Sequence, residues 1–137
     1  MGQEPLALEP DERCLGRWAV NYISPADLRF PGHLVVTDRR VLFMGELEPQ
    51  RIQAHIVGPV DATSVAYALD LDPEHVTYTG HHLCLSIPKA HIESVAPDYL
   101  FLHNYVGLTL RNNGSIQLFE RNILSATPLL RAIQQSK

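Results

Sequence analysis

The sequence predicts a mainly β domain of about seven strands that ends in one C-terminal α-helix. Two stretches predict tight β-hairpins. In residues 32–46 two apolar runs flank a polar turn, and in residues 107–119 two alternating runs flank an Asn-Gly dipeptide, which hairpin turns prefer because both residues tolerate positive φ. The helix is predicted because a Thr-Pro pair, suited to a helix start, precedes a single apolar stripe. The stripe consists of Leu129, Leu130 and Ile133.

Length and composition fit one domain around one hydrophobic core. The chain has 137 residues, of which 45% are hydrophobic, as is usual for a globular protein. Residues 1–11 are acidic and broken by proline, so they are predicted to form a flexible lead-in to a single domain over residues 12–137. The lead-in lacks the basic and apolar regions of an export signal, and no apolar run has the length that a bilayer demands. We therefore expect a cytoplasmic location.

The first strand is predicted over residues 12–23 from an alternation of period two. Gly16 within it is interpreted as a bulge or as a point of close approach. The alternate positions predicted to be buried are Cys14, Trp18, Val20 and Tyr22. Because the chain shows no export signal, Cys14 and Cys84 are both expected to be reduced, buried and chemically inert.

The hairpin of residues 32–46 is predicted to lie at the centre of a sheet. Neither of its apolar runs alternates cleanly, so both faces are expected to meet other protein. In its turn, Asp38 is predicted to accept a local hydrogen bond, while Arg39 and Arg40 are interpreted as solvated charges. Further strands are predicted over residues 83–87 and 92–95.

Residues 46–81 are the least regular part of the chain. Asp61 followed by a Thr-Ser pair predicts the cap of a two-turn helix. The Val-Ala-Tyr-Ala run at residues 65–68 fits a strand as well, so both alternatives stay open. A structureless connection of this length inside a compact domain is uncommon and tends to be functional.

The order of these pieces resembles that of the GRAM domain, a member of the pleckstrin-homology-like superfamily. The matching pieces are the hairpin with its Thr-Asp-Arg-Arg turn, the Ile-Pro pair and the His-Ile-Glu-Ser-Val run after it, and the last two strands with the closing helix. They lie at residues 32–43, 87–88, 91–95, 107–110, 116–119 and 127–136. The resemblance implies a split barrel of two near-orthogonal antiparallel sheets that the helix closes at one end. Residues 46–81 would then be a long insertion between strands three and four.

The resemblance also implies which loops face a ligand, namely those after strands one, three and six. In this chain they are residues 23–32, 46–81 and 111–114, and their basic residues are Arg29, Arg51 and Arg111. These arginines are the candidate ligands of an anionic lipid headgroup. However, residues 46–81 hold six carboxylates against the one arginine, a balance of −5, which opposes an anionic membrane surface. The net charge of −4 likewise argues against nucleic acid.

Metal and catalytic roles rank third. Four of the seven histidines invite a metal interpretation, but the adjacent pair among them would point to opposite faces of a strand. The acidic run that begins at Asp70 fails as a calcium loop, because His75 stands where the turn needs glycine and His81 where glutamate should bind. No nucleophile elbow, phosphate loop or dinucleotide fingerprint is present, so no cofactor is predicted. The four histidines are His81, His82, His91 and His103.

The leading functional hypothesis is a non-enzymatic binding module that contacts a protein partner or a second copy of itself. The apolar residues of the insertion are the candidate interface, and their packing on the parent domain is the competing interpretation. The alternative function is weak recognition of anionic lipid headgroups, with the protein peripheral at a membrane. The candidate interface residues are Ile52, Ile56, Tyr67, Leu69, Leu71 and Tyr78.

Overall fold

The computed structural model describes residues 9–24, 28–46, 49–53, 56–79, 81–100, 103–111, 116–121 and 127–134. In these ranges the chain forms a mainly antiparallel β fold with three short helices, one of which is C-terminal, as predicted. The strands are β1 (Cys14–Ile23), β2 (Arg29–Thr37), β3 (Arg40–Glu46), β4 (Val76–Thr79), β5 (His82–Pro88), β6 (Ile92–Leu100), β7 (His103–Leu110) and β8 (Ile116–Arg121). The helices are α1 (Pro49–Ile52), α2 (Ala62–Ala68) and α3 (Thr127–Gln134).

The eight strands form one unclosed sheet in the order β4-β5-β3-β2-β1-β8-β7-β6. β1 joins its two halves, because it pairs with β2 along its length and with β8 from Val20 to Ile23. β4 and β6 are the edges. About seven strands were predicted. The additional strand is β4, which lies within residues 46–81.

The sheet curls around α3. That helix contacts β1, β2 and also β6, although β2 and β6 lie four strand spacings apart, or about 19 Å in a flat sheet. A helix with a diameter of about 10 Å reaches both only if the sheet bends. Leu129 and Ile133 are fully buried, as predicted, and Leu130 packs on the core from a half-buried position.

Three aromatic rings form the centre of the core. Tyr22, Phe43 and Phe119 have ring centroids 5.4 to 5.8 Å apart and come from three different strands. Full burial of a ring of this kind contributes about 1.5–3 kcal/mol. The Tyr22 hydroxyl donates a hydrogen bond to the Gln117 carboxamide, whose nitrogen donates to the Leu69 carbonyl. The polar side-chain atoms of Tyr22 and Gln117 in the core are thereby paired.

Both faces of the β2–β3 hairpin are buried, as its unbroken apolar runs predicted. Leu34 and Phe43 face the aromatic core, while Val35 and Leu42 form a second cluster with Cys84 on the opposite face. We call that opposite face the outer face.

The prediction that Asp38 accepts a hydrogen bond within the hairpin turn is wrong. The Thr37 hydroxyl, and not Asp38, closes the turn by accepting from the backbone nitrogens of Arg39 and Arg40 at 3.1 and 3.0 Å. Asp38 instead accepts from the backbone nitrogen of Arg13, 25 residues away, at 3.0 Å. An aspartate can satisfy a turn or a neighbouring strand, and tertiary packing decides which.

β1 confirms the role of Gly16 and corrects that of Cys14. The register with β2 shifts between Cys14 and Gly16, and a Cβ on Gly16 would lie 2.1 Å from the Trp18 ring. The shift sets Cys14 opposite Thr37 while Gly16 lies opposite Val36. Since adjacent residues of a strand face opposite ways, Cys14 leaves the core face and is exposed, whereas Cys84 is buried as predicted.

The capped-helix alternative for residues 61–69 is confirmed. The Asp61 carboxylate accepts from the Ser64 backbone nitrogen and the Ser64 hydroxyl accepts from the Asp61 backbone nitrogen, both at 2.9 Å. This reciprocal capping box begins α2. Val65 and Ala66 on α2 are fully buried, so the helix packs on the sheet.

Half of the candidate interface residues belong to the domain's own core. Ile52, Leu69 and Leu71 have at most 3% of their surface exposed and pack in the main hydrophobic cluster, so a partner cannot contact them. The interface prediction is corrected for these three. Ile56 and Tyr78 are half-buried against the same cluster, and Tyr67 is 70% exposed.

Part of the predicted lead-in forms ion pairs with the hairpin turn. Arg39 contacts Glu9 at 3.0 Å and Asp11 at 2.6 Å.

The strand predicted over residues 92–95 is longer than expected, because β6 continues for five residues beyond it. Residues 1–8 and the Asn-Gly turn lie outside the described residues. Of the helices in the described ranges, none combines the length and apolarity needed to cross a membrane.

Candidate functional site

The outer face of the sheet carries a groove, which we call the outer groove. A cavity of about 460 Å³ adjoins a second one of about 200 Å³. The two share Ala19, Pro31 and Gly32, so together they cross strands β5, β3, β2, β1 and β8. The other lining residues are His33, Met44, Gly45, Glu46 and His82 in the larger cavity and Val20, Asn21 and Glu120 in the smaller.

Strand register assembles the larger end of this groove. His33 pairs with Met44, and Glu46 pairs with His82, and residues directly opposite each other in antiparallel strands present their side chains on the same face. The result is an apolar floor beside two exposed imidazoles and one exposed carboxylate. The chemistry suits a ligand with an apolar part and a hydrogen-bonding or cationic part.

Two glycines bring the strands close together beneath the groove. Gly32 pairs with Gly45. A Cβ on Gly32 would lie 2.2 Å from the Met44 carbonyl oxygen, and one on Gly45 would lie 2.7 Å from the Pro31 carbonyl oxygen. Either Cβ would also meet the Phe43 ring at 2.8 Å. The missing side chains therefore leave room for that core ring under the groove.

The smaller end of the groove is closed by an ion pair. Glu120 is buried and accepts from Arg29 Nε at 3.0 Å and from Asn21 Nδ2 at 3.1 Å. Arg29 Nη2 also lies 3.4 Å from the Tyr105 hydroxyl. The charge of Arg29 is thus already matched within the domain.

The structure does not bring the candidate lipid ligands together. Arg29 contacts Tyr105 near the start of β7, whereas Arg111 follows the far end of that strand and donates from Nε to the Ala90 carbonyl oxygen at 3.0 Å. Six extended residues span about 20 Å. The side chain of Arg51 lies outside the described residues.

The histidines are placed differently from the predicted grouping. His81 and His82 are exposed, and the side chain of His103 lies outside the described residues. His91 pairs with His75, with 3.1 Å between His91 Nδ1 and His75 Nε2. Within the described part of the chain, no three His, Cys, Asp or Glu residues are grouped so as to hold a metal ion. Sequence spacing gave no signal for the His75–His91 pair, because its members lie 16 residues apart on two separate turns.

The two thiols differ in environment. Cys84 is buried on the outer side of the sheet, and this burial raises the pKa of its thiol to about 11. A thiol with such a pKa is almost entirely protonated near neutral pH and is a poor nucleophile. Cys14 is exposed. Cys84 therefore does not match the activated thiol of a nucleophilic site, which needs a lowered pKa.

Comparison of the chain with protein-family models, with curated proteins and with solved structures gives no match. The function is therefore inferred from the strand order, the outer groove and the placement of charge around that groove.

Proposed function

We propose that the chain is a pleckstrin-homology-like domain of the GRAM type that acts as a non-enzymatic binding module for a protein partner. The strand order supports the fold. With β4 set aside as part of the insertion, β5-β3-β2-β1 and β8-β7-β6 form two antiparallel halves joined at the first strand. The contacts of α3 with β1, β2 and β6 agree with a split barrel whose halves meet around the closing helix.

The outer groove is the proposed binding surface, and its occupant is an extended protein segment with apolar and basic side chains. The observation that carries this proposal is the charge around the groove. Glu46 is exposed at one end, beside the exposed imidazoles of His33 and His82. At the other end the arginine is already paired with Glu120. A cationic, partly apolar segment complements such a surface.

The same placement of charge favours a protein over a lipid headgroup. Arg29 is paired, Arg111 lies at the other end of β7, and residues 46–81 carry a balance of −5. Each basic residue near an anionic leaflet contributes only about 1 kcal/mol. Lipid recognition is therefore the second candidate.

A non-enzymatic role is proposed because the described reactive groups do not converge. Cys84 is held protonated by burial, and the His75–His91 pair lies away from the outer groove, on the turns that flank β4 and β6. A catalytic site needs a nucleophile, a base beside it and a group that orients the base.

Selection of a random peptide library displayed on phage tests the proposal. We expect the selected peptides to combine apolar residues with Lys or Arg. Ala19→Trp fills the floor of the groove and should abolish binding, and Glu46→Lys should select against basic residues. Ala96→Trp is the matched control, because Ala96 is an exposed alanine on β6 outside the groove. Acidic consensus peptides, or binding that survives Ala19→Trp and fails in Ala96→Trp, would contradict the proposal.

A further inference from the structure

His75 and His91 join the insertion to the rest of the domain. His75 ends the turn Pro73–His75, which directly precedes β4, and His91 ends the turn Lys89–His91 between β5 and β6. Their rings lie 5.2 Å apart between centroids, with Nε2 of His75 3.1 Å from Nδ1 of His91. His75 is 5% exposed, and its Nδ1 is buried with no hydrogen-bond partner among the described residues.

This geometry selects one protonation state. A hydrogen bond between two imidazoles needs one N–H and one bare nitrogen. If His75 carries its proton on Nε2 and donates to His91 Nδ1, the buried Nδ1 of His75 stays bare. If His91 becomes a cation, its Nδ1–H must donate to Nε2 of His75, so the proton of the neutral His75 ring has to be on its own buried Nδ1. If His75 becomes the cation, that buried Nδ1 also carries a proton. Every protonated form therefore buries an N–H without an acceptor, which is costly.

We propose that the His75–His91 pair is a proton-sensitive latch, which holds the turn Pro73–His75 and the edge strand β4 on the domain when neutral and releases them on acidification. β4 is four residues long and pairs with β5 alone, and a short edge element of this kind opens before the core does. The proposed latch does not depend on which ligand binds in the outer groove.

The surroundings of the pair agree with a latch that is closed near neutral pH. Burial, and next the neighbouring His91, lower the pKa of His75, while Asp72 and Glu74 act in the opposite direction. Arg111 donates from Nε to the Ala90 carbonyl oxygen at 3.0 Å, and Lys89 donates from Nζ to the Ala132 carbonyl oxygen at 2.7 Å. Two cations therefore lie at the turn that His91 ends. The other ionisable groups on the elements packed against the two turns are Tyr67 of α2, Arg40 and Glu46 of β3, His82 and Cys84 of β5 and Arg131 of α3.

Nitrogen-15 spectroscopy of the imidazoles in the intact chain tests the protonation state directly. At pH 8 we expect both rings as Nε2–H tautomers, and His75 to gain its proton at a pH below the ordinary histidine pKa of about 6.5. A His75 ring with its proton on Nδ1 at pH 8, or a pKa of His75 at or above the ordinary value of about 6.5, would overturn the proposal. This measurement needs no variant.

Hydrogen exchange tests the release. Between pH 7.5 and 5.5 the protection of the Val76–Thr79 amides, corrected for the intrinsic exchange rate, should fall several-fold while the amides of Tyr22 and Phe43 keep theirs. The double variant His75→Gln, His91→Gln replaces the pair by amides that do not titrate and should remove this pH dependence. The variant His81→Gln changes an exposed histidine that lies outside the outer groove, and as the control it should retain the dependence. An unchanged response in the first variant, or its loss in the second, would refute the latch, and so would constant protection of β4 in the wild type.

Discussion

The carboxylate of Glu12 and the guanidinium of Arg40 form a two-point ion pair, with Oε2 2.8 Å from Nε and Oε1 2.9 Å from Nη2. The Glu12 side chain is fully enclosed, and it also accepts from the Thr37 hydroxyl at 2.5 Å. Arg40 donates in addition to the Ser86 hydroxyl at 3.2 Å. The pair fastens the residues before β1 to the β2–β3 turn, so Arg40 is a structural charge and not the solvated one that the sequence suggested.

Glu12→Gln should destabilise the domain by about 2–3 kcal/mol, because the variant removes the enclosed carboxylate that pairs with the half-buried guanidinium of Arg40. Urea unfolding followed by tryptophan fluorescence measures the change. Glu9→Gln is the matched control, since Glu9 contacts Arg39 in an exposed pair, and exposed pairs contribute little. Equal stability of Glu12→Gln and the wild type would contradict a structural role for the pair.

The same pair makes stability depend on acid. The hydrogen bond from Arg40 holds the pKa of Glu12 at about 2, against an ordinary value of 4.5. Between these two values the unfolded chain binds more protons than the folded one, so the stabilisation is present above about pH 4.5 and is lost as the pH falls towards 2. The difference in unfolding free energy between the wild type and Glu12→Gln should therefore shrink over that range. A difference that stays constant from pH 5 to pH 2 would show that the carboxylate keeps its ordinary pKa.

The two cysteines should react differently with a thiol reagent. Cys14 is exposed and Cys84 is buried with a pKa of about 11, and the reactive species is the thiolate. In the native protein at pH 8 we expect one equivalent of label on Cys14, and a second on Cys84 only after denaturation. Peptide mass mapping assigns the sites, and Cys14→Ser should remove the fast phase. Fast native labelling of Cys84 would mean that the cluster of Val35, Leu42 and Cys84 on the outer face opens readily.

The sequence identifies elements whose signals are local. The apolar runs of the β2–β3 hairpin, the stripe on α3 and the Asp61 cap each depend on residues a few positions apart, and each predicted its element. Gly16 was predicted to be a bulge or a point of close approach. The effect of the bulge on Cys14 was not predicted, because a shift of register turns every residue beyond it to the other face.

The sites are harder to predict because they join distant residues. Glu12 and Arg40 lie 28 residues apart, and His75 and His91 lie 16 apart, so only the fold brings them together. The resemblance to the GRAM domain placed Arg29 and Arg111 in one ligand site, although the sheet separates them by the length of a strand. The apolar residues of the insertion were ambiguous for another reason: a side chain such as Leu69 has the same hydrophobicity whether it packs on its own domain or on a partner.

Anionic vesicles should retain little of the protein at physiological ionic strength. Screening over about 8 Å leaves only close contacts, and among the candidate arginines Arg29 is paired while Arg111 lies far from it. Sedimentation with vesicles that contain phosphatidylserine or phosphoinositides measures this, with neutral vesicles as the control. Headgroup-selective retention that is lost in Arg29→Ala or Arg111→Ala would raise the lipid function above the protein-binding one.

Replacement of residues 47–80 by a short Gly/Ser link should unfold the domain. A longer or shorter loop changes the closure entropy only slowly, so the loop length itself is not the reason. The segment supplies buried side chains to the main core. Each of the larger aliphatic ones contributes about 1.5–3 kcal/mol, against a net stability of about 5–15 kcal/mol for a typical domain. Circular dichroism during heating should show no cooperative transition. The buried residues concerned are Ile52, Val65, Ala66, Leu69, Leu71 and Val76.

Two single substitutions on the same stretch separate a core role from an interface role. Leu69→Ala removes a fully buried side chain and should cost about 2–5 kcal/mol in urea unfolding. Tyr67→Ala, two positions earlier, removes a side chain that is 70% exposed and should leave the unfolding free energy nearly unchanged. Sedimentation velocity on the Tyr67 variant then reports on self-association with the fold intact. A folded deletion variant, or a Leu69→Ala protein as stable as the wild type, would show that the insertion is not part of the core and would restore it as the candidate interface.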